Sequence, residues 1–347
     1  MNKSLKTSDF DYALPEEFIA QAPLKKRDAS KLLVLDRKTH QIFHRRFFDI
    51  VDYLKPGDLL VLNDTKVIPA RLIGEKEGGS AKIEVVLLRE MEKNSWNCLV
   101  RPGKRLKIGS RVVFAKGKLV AEVLEKKADG SQLLRFESKG VFKQLLDKLG
   151  KVPLPPYIQN SKAVSNKSFL GKRYQTVFAK SGGASAAPTA GLHFTKPLLS
   201  KLKKKGIDIA NITLHTGLAT FRPVYADFIQ DHKMHSEYFE IDKDCVAAIN
   251  ICRGRVVAVG TTVVRTLETL ARKNKLEPCF GETDLFIYPG FEFKLVDALI
   301  TNFHFPRSSL LMLVSAFAGR EAILSAYEEA KQRKYRFFSF GDAMLIV

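Results

Sequence analysis

The chain has 347 residues, 45% of them apolar, which is enough for sizeable cores and, at about 150 residues per domain, for two domains. Lys plus Arg number 57 against 37 Asp plus Glu, and the net charge of +20 attracts polyanions, nucleic acid ahead of anionic membrane or phosphorylated small molecules. The most apolar stretch, residues 310–318, is far short of the ~20 residues of a spanning helix, the opening MNKSLKTSDFDYALP has no apolar signal region, and Cys98, Cys245, Cys252 and Cys279 show no C-x-x-C or regular spacing, so a cytoplasmic protein with reduced thiols and no membrane contact is expected.

In chain order, KLLVLD and QIFHRRF flank a turn and predict a hairpin. FFDIVDYL has helical spacing and stops before Pro56-Gly57, and DLLVLN then reads as a strand. Between residues 68 and 145 six short strands are predicted: ARLIGEK, AKIEVVLLRE, SWNCLVRP, SRVVFAKGK, LVAEVLEKK and SQLLRFES, with turn signals at Gly78-Gly79, Pro102-Gly103, Gly117 and Asp129-Gly130. Strands this short expose edges that closure would hide, so a small inserted β-barrel is expected. Residues 146–347 alternate helix and strand: TKPLLSKLKKKG as a helix with a Thr cap, IDIANITLH as a strand, RVVAVG running into the helix TTVVRTLETLARK, DLFIYPG and VDALITNFHFP as strands, and two helices separated near Gly319. The fold class is therefore α/β: a mixed α/β main domain (1–67 and 146–347) carrying an inserted β-barrel domain (68–145).

Polar residues gather at the ends of predicted strands, in NDTKVIPAR, AAPTAGLHFT, LHTGLATFRPV, HKMHSE, GTTVVRTLE and ITNFH. Ligands of open α/β sheets bind at the carboxyl ends of strands. Of the seven histidines, His193, His215, His232, His235 and His304 fall in these segments, and imidazole is the usual acid–base group near neutrality. In GTTVVRTLE, Gly260 turns the backbone after an apolar strand, Thr261 and Thr262 open a helix whose free N–H groups favour an anion, and Arg265 on the first turn could grip a carboxylate. His232 and His235 are one helical turn apart if helical, but neither a Cys ligand set nor H-E-x-x-H accompanies them, so no metal is expected. The run 101–118 has seven Lys or Arg and no acid, which suits phosphate contacts, whereas the lysines of KLKKKG read as a solvated face. Neither G-x-x-x-x-G-K-[ST] nor G-x-G-x-x-G occurs, which disfavours an ordinary nucleotide-binding or methyltransferase fold.

The segments IAQAPLKKRDASKLLVLDR, VLNDTKVIPARL, CLVRPGKRLKIG, GKVPLPPYI, RYQTVFA, AAPTAGLHFT, LHTGLATFRPV, MHSE, GTTVVRTLE, IYPGFEFK, ITNFHFPRSSLLMLVSAFAG and YRFFSFGDAMLI are colinear over residues 14–346. Together they resemble one family, the S-adenosylmethionine:tRNA ribosyltransferase-isomerases of queuosine biosynthesis. Departures from the family pattern are small: Thr216 stands where Val is usual, Ala219 for Gly, Val263 for Ser and Ala298 for Gly. The resemblance implies an α/β plus β-barrel fold and no metal or redox cofactor. It implies transfer and isomerisation of the ribosyl part of S-adenosylmethionine, consumed as co-substrate, onto 7-aminomethyl-7-deazaguanine at the tRNA wobble position. Epoxyqueuosine-tRNA forms, and adenine and methionine leave.

That chemistry needs a base for the proton beside the sulfonium, an acid for departing adenine, and exclusion of water. His193, His215 and His304 are the acid–base candidates, with Asp64 and Glu237 orienting them or the ribose. Thr189, Thr261, Thr262, Arg265 and Asn302 are expected to bind S-adenosylmethionine, with Thr261, Thr262 and Arg265 on its carboxylate. Arg101, Lys104, Arg105 and Lys107 are expected to contact tRNA phosphates, and a monomer is expected. A non-catalytic RNA-binding protein would leave the polar strand ends unexplained, and a metal-dependent nucleotide hydrolase would bind stoichiometric metal.

Overall fold

The structure, a computed structural model, describes residues 5–158, 167–217, 223–272 and 276–347. β1 (Lys31–Leu35) and β2 (Ile42–Arg46) form the expected antiparallel hairpin, and a 3-10 helix, Phe47–Asp52, follows. The fully buried β3 (Leu59–Asn63) leads into the short β4 (Thr65–Val67). The six strands expected next are all present: β5 (Arg71–Lys76), β6 (Lys82–Glu92), β7 (Ser95–Arg101), β8 (Arg111–Phe114), β9 (Leu119–Lys126) and β10 (Gln132–Ser138). Then come α1 (Phe142–Leu149), α2 (Lys167–Arg173) and β11 (Ser181–Ala184). A 3-10 helix, Thr189–His193, precedes α3 (Lys196–Lys204), where Thr195 Oγ1 accepts the Leu198 amide at 3.2 Å as the cap. The remaining elements are β12 (Asp208–Leu214), β13 (Glu237–Ile241), α4 (Lys243–Ile251), β14 (Val256–Val259), α5 (Thr261–Arg272), β15 (Cys279–Thr283), β16 (Ala298–Asn302), α6 (Ser309–Ala318), α7 (Arg320–Gln332) and β17 (Ala343–Ile346). No single helix among the described residues is long and apolar enough to cross a membrane.

The chain divides into two compact units. Unit 2 (Lys66–Leu154 and Gly182–Ala187) holds a closed six-stranded barrel in the order β10-β7-β6-β5-β8-β9, so no strand keeps an open edge. Alternate residues Leu72, Ile83, Val85, Cys98, Val112, Ala121 and Leu134 fill its interior. An expected boundary at residue 145 would cut α1, yet Leu146 is buried in this same core, so the helix belongs with the barrel.

Unit 1 (Met1–Thr65, Pro155–Ser181 and Pro188–Val347) holds a nine-stranded mixed sheet, β15-β13-β12-β3-β14-β16-β17-β1-β2. The two-residue period of β3 divides its side chains between two cores: Leu59 and Val61 pack with residues of α4, α5, α6 and α7, while Leu60 and Leu62 pack with α3 and Phe47–Asp52. Each such buried Leu or Val contributes roughly 1.5–3 kcal/mol. At the amino ends of the strands, buried Asp58 accepts the Arg255 guanidinium at 2.7 Å and the Arg255 amide at 2.9 Å, tying β3 to β14.

One expected strand is corrected. DLFIYPG (284–290) joins no ladder, and the strand is β15, just before it. The Thr283 hydroxyl accepts the Leu285 amide at 3.2 Å and turns the chain. The carbonyls of Thr283 and Leu285 meet the Arg265 guanidinium instead of a neighbouring strand.

Candidate active site

β12, β3, β14 and β16 are parallel neighbours, so their carboxyl ends lie along one edge of the sheet. Asn63, at the end of β3, ties this edge together. Its Oδ1 accepts the amides of Thr65 and Leu214, both at 3.1 Å, and its Nδ2 donates to Leu214 O at 3.0 Å and Thr262 Oγ1 at 3.3 Å. The side chain is buried with its polar atoms satisfied, as burial requires. Asn63 was not among the expected site residues, although it opens the NDTKVIPAR stretch. Next to it, Asp64 accepts Thr213 Oγ1 at 2.6 Å. His215 Nδ1 lies 2.8 Å from Thr65 Oγ1, and its ring stacks on Tyr238 with centroids 5.6 Å apart. Burial pushes the His215 pKa down and the Asp64 charge opposes this.

At the end of β14, Gly260 takes φ +95°, a backbone conformation that favours glycine, and the chain turns into α5. The amides of Val263 and Val264 close on Gly260 O at 3.1 and 3.3 Å, so those of Thr261 and Thr262 precede the first helical hydrogen bonds. Arg265, expected on a substrate carboxylate, has several partners within the protein. Its Nε donates to Leu285 O and its Nη2 to Thr283 O, both at 3.0 Å, and its Nη1 pairs with Glu237. Glu237 is likewise held inside the protein, and its Oε1 accepts the Gly217 amide at 3.3 Å. The two side chains, 5% and 8% exposed, form a buried ion pair that ties β13 and β15 to α5. Val263, where the family usually has Ser, is fully buried in the core.

The end of β16 carries a second cluster. Thr189–His193 lies close against Phe178 and Thr176: a Cβ on Gly191 would fall 2.7 Å from the Phe178 ring and 2.9 Å from the Thr176 methyl. Thr189 Oγ1 donates to Asn302 Oδ1 at 3.0 Å. Asn302 Nδ2 donates to Phe338 O at 3.2 Å and lies 3.1 Å from His193 Nε2. The carbonyl identifies this end of the amide as the nitrogen, so Nε2 accepts and the His193 proton sits on Nδ1, 2.8 Å from Ser30 Oγ. The imidazole stacks on Phe47 at 5.0 Å, and burial lowers its pKa to about 4, leaving it neutral at pH 7. His304 is also buried, and its pKa falls to about 3. Its Nε2 lies 2.8 Å from Thr301 Oγ1, its amide donates to Tyr327 OH at 3.0 Å, and its carbonyl accepts Tyr12 OH.

The structure thus brings Asp64, His215, Glu237, Thr261, Thr262 and Arg265 to one part of the strand-end edge, and Thr189, His193, Asn302 and His304 to another. Arg101, Lys104, Arg105 and Lys107 are all exposed on the barrel unit, at the end of β7 and in the turn after it. His232 and His235 lie in irregular backbone, not on a helical turn, and His232 packs edge-on to Phe286. Among the described residues, no three His, Cys, Asp or Glu side chains converge as metal ligands. Residues 218–222 of the LHTGLATFRPV stretch, including the family departure Ala219, lie outside the described residues.

Comparison with known proteins covers the same span. The family profile described as "Queuosine biosynthesis protein" matches residues 7–346. The chain is 54% identical to an S-adenosylmethionine:tRNA ribosyltransferase-isomerase of Thermoanaerobacter sp. (strain X514), over 99% of this chain and 100% of that one. It is likewise 54% identical to the protein of the same name from Acetivibrio thermocellus, again over 99% and 100%. Among solved structures it is similar to an S-adenosylmethionine tRNA ribosyltransferase from Thermotoga maritima, with 46% identity, a TM-score of 0.56, and coverage of 98% of this chain and 100% of that chain. With the family match running from the first 3-10 helix to the last strand, the chain belongs to the queuosine biosynthesis protein family.

Proposed function

We infer that this chain is an S-adenosylmethionine:tRNA ribosyltransferase-isomerase. It moves the ribosyl part of S-adenosylmethionine onto 7-aminomethyl-7-deazaguanine at the tRNA wobble position, forms epoxyqueuosine-tRNA, and releases adenine and methionine. The 54% identity to enzymes of that name, over the whole length of both chains, carries this reading. S-adenosylmethionine is consumed as a ribosyl donor, and no further cofactor enters. The enzyme works in the cytoplasm on tRNA; the net charge of +20 supports a polyanionic partner.

The sulfonium acidifies the adjoining 5′ carbon, so a neutral base within reach starts the reaction by taking that proton. Of the three histidines expected as acid–base groups, His215 suits this step best. It is neutral at pH 7, its Nδ1 is fixed by Thr65, and Asp64 favours the imidazolium that proton transfer creates. The amides of Thr261 and Thr262, with the partial positive charge of the α5 amino end, receive the methionine carboxylate. Arg265 and Glu237 position the elements around this site. Thr189, His193 and Asn302 form a connected, uncharged polar surface suited to the adenosine part. Near neutrality His193 and His304 act as neutral hydrogen-bonding groups. Arg101, Lys104, Arg105 and Lys107 contact tRNA phosphates.

Incubation of the chain with S-adenosylmethionine and a tRNA bearing the aminomethyl base tests this reading. Adenine release that depends on that RNA is expected. Absence of release with the modified RNA would refute it.

A further inference from the structure

Beside His193, unit 1 carries a small cleft that opens to solvent. Arg27, Arg173 and Arg336 line it, and none of its lining residues is an Asp or Glu. The three guanidinium groups come from separate stretches of the chain and are held by backbone carbonyls. Arg27 Nη1 donates to Leu192 O at 3.1 Å. Arg173 donates to Lys25 O at 3.1 Å and Leu24 O at 2.8 Å, and Arg336 to Ala22 O at 3.4 Å. The neighbouring carboxylate is Asp342, whose Oδ1 accepts Arg336 Nη2 at 3.0 Å and the Lys31 amide at 3.0 Å. That leaves Arg27 and Arg173 facing the cleft without a carboxylate on its walls. His193, at the same wall, is uncharged at pH 7 and adds none.

Two further features favour an anion here. The Nε of Arg173 is buried and has no hydrogen-bond partner among the described residues. Burial and the charge of Arg173 together lower the pKa of Arg27 to about 10. Partly desolvated like charges cost stability unless a counter-charge joins them. Planar guanidinium forks converging from several sides suit an oxyanion with more than one free oxygen.

We propose that Arg27, Arg173 and Arg336 form an oxyanion site that receives one phosphodiester of the substrate RNA beside the His193 wall. The proposal rests on the reading of this chain as an RNA-modifying enzyme. A phosphodiester presents two non-bridging oxygens and carries one negative charge, which matches a cleft with two uncompensated guanidinium groups better than a neutral group does. A carboxylate, such as that of S-adenosylmethionine, has related chemistry, and the experiment separates the two sources.

The variants are Arg27→Gln and Arg173→Gln, singly and together, with Arg173→Lys as a charge-keeping control. RNA binding is measured across a salt series with a tRNA bearing the aminomethyl base. The KM for S-adenosylmethionine is measured at saturating RNA. Each Gln variant is expected to weaken RNA binding about tenfold, and the pair to lower the salt slope by about 0.7–0.9, the value for one phosphate. Arg173→Lys is expected to keep most of the slope, and the KM for S-adenosylmethionine to stay within about twofold. A raised KM for S-adenosylmethionine, with or without an RNA effect, would assign the cleft to the carboxylate and overturn the proposal. Unchanged RNA binding and slope would also overturn it. If the double variant does not fold, the single variants decide. Adenine release by the unaltered enzyme separates the two readings: turnover with unaffected RNA binding in the variants defeats only the cleft assignment, whereas absence of turnover defeats the activity itself.

Discussion

Arg265→Met distinguishes a positioning role from a substrate-binding one. The Arg265 and Glu237 side chains are 5% and 8% exposed. Removing the guanidinium takes the Arg265 ion pair from the Glu237 carboxylate and the donors from the Thr283 and Leu285 carbonyls. Breaking a buried pair from one side costs about 3–5 kcal/mol. The double variant Glu237→Gln/Arg265→Met removes both charges and should recover about 2 kcal/mol or more of that loss, because the two charges of the pair go together. Urea unfolding followed by far-ultraviolet circular dichroism at pH 7 measures both. A loss below about 1 kcal/mol in Arg265→Met, together with a tenfold or larger rise in the KM for S-adenosylmethionine, would refute this reasoning and return Arg265 to the substrate carboxylate.

Three other outcomes are expected. The folded pKa of His193, about 4, lies below its unfolded value of ~6.5, so the unfolded chain binds the extra proton between them. The stability involved is fully present above pH ~6.5 and is lost as pH falls toward 4, by roughly 3 kcal/mol; His304 acts in the same direction. Urea midpoints at pH 7 and 4.5 should therefore differ less in His193→Gln than in the unaltered protein, and an equal difference would contradict the assignment. His215→Gln should lower kcat by about 10²–10⁴ with stability changed by less than ~1 kcal/mol, and a loss under tenfold would remove it as the base. Replacing Lys104, Arg105 and Lys107 by Gln should reduce the salt slope of tRNA binding by about 2–3, at ~0.7–0.9 per phosphate, and an unchanged slope would exclude those contacts.

What was readable in the sequence was local. The alternation in AKIEVVLLRE and its neighbours, punctuated by glycine turns, marks the six barrel strands because each repeats the two-residue period of a half-buried ladder. Gly260 before a Thr-Thr pair marks the turn from β14 into α5 for a similarly local reason. Pairings across sequence were not readable. The pairing of Arg265 with Glu237 is one of these, since Glu237 arrives from 28 residues earlier on an antiparallel strand. DLFIYPG looked like a strand because apolar content cannot show that its neighbouring carbonyls already have a guanidinium donor. The Arg27, Arg173 and Arg336 cleft is invisible for the same reason: no two of the three share a motif, and only the fold collects them. Asn63 was within sight, but its work as a four-way hydrogen-bonding tie depends on β12 and α5 lying on either side.

In this reaction S-adenosylmethionine gives up its ribosyl group and not its methyl group. Parallel reactions with S-adenosylmethionine labelled in the ribose or in the methyl group, and tRNA bearing 7-aminomethyl-7-deazaguanine, test it most directly. Ribose label is expected to enter the tRNA in step with adenine release while methyl label leaves with methionine. Methyl label in the tRNA, or ribose label left wholly outside it, would rule out ribosyl transfer.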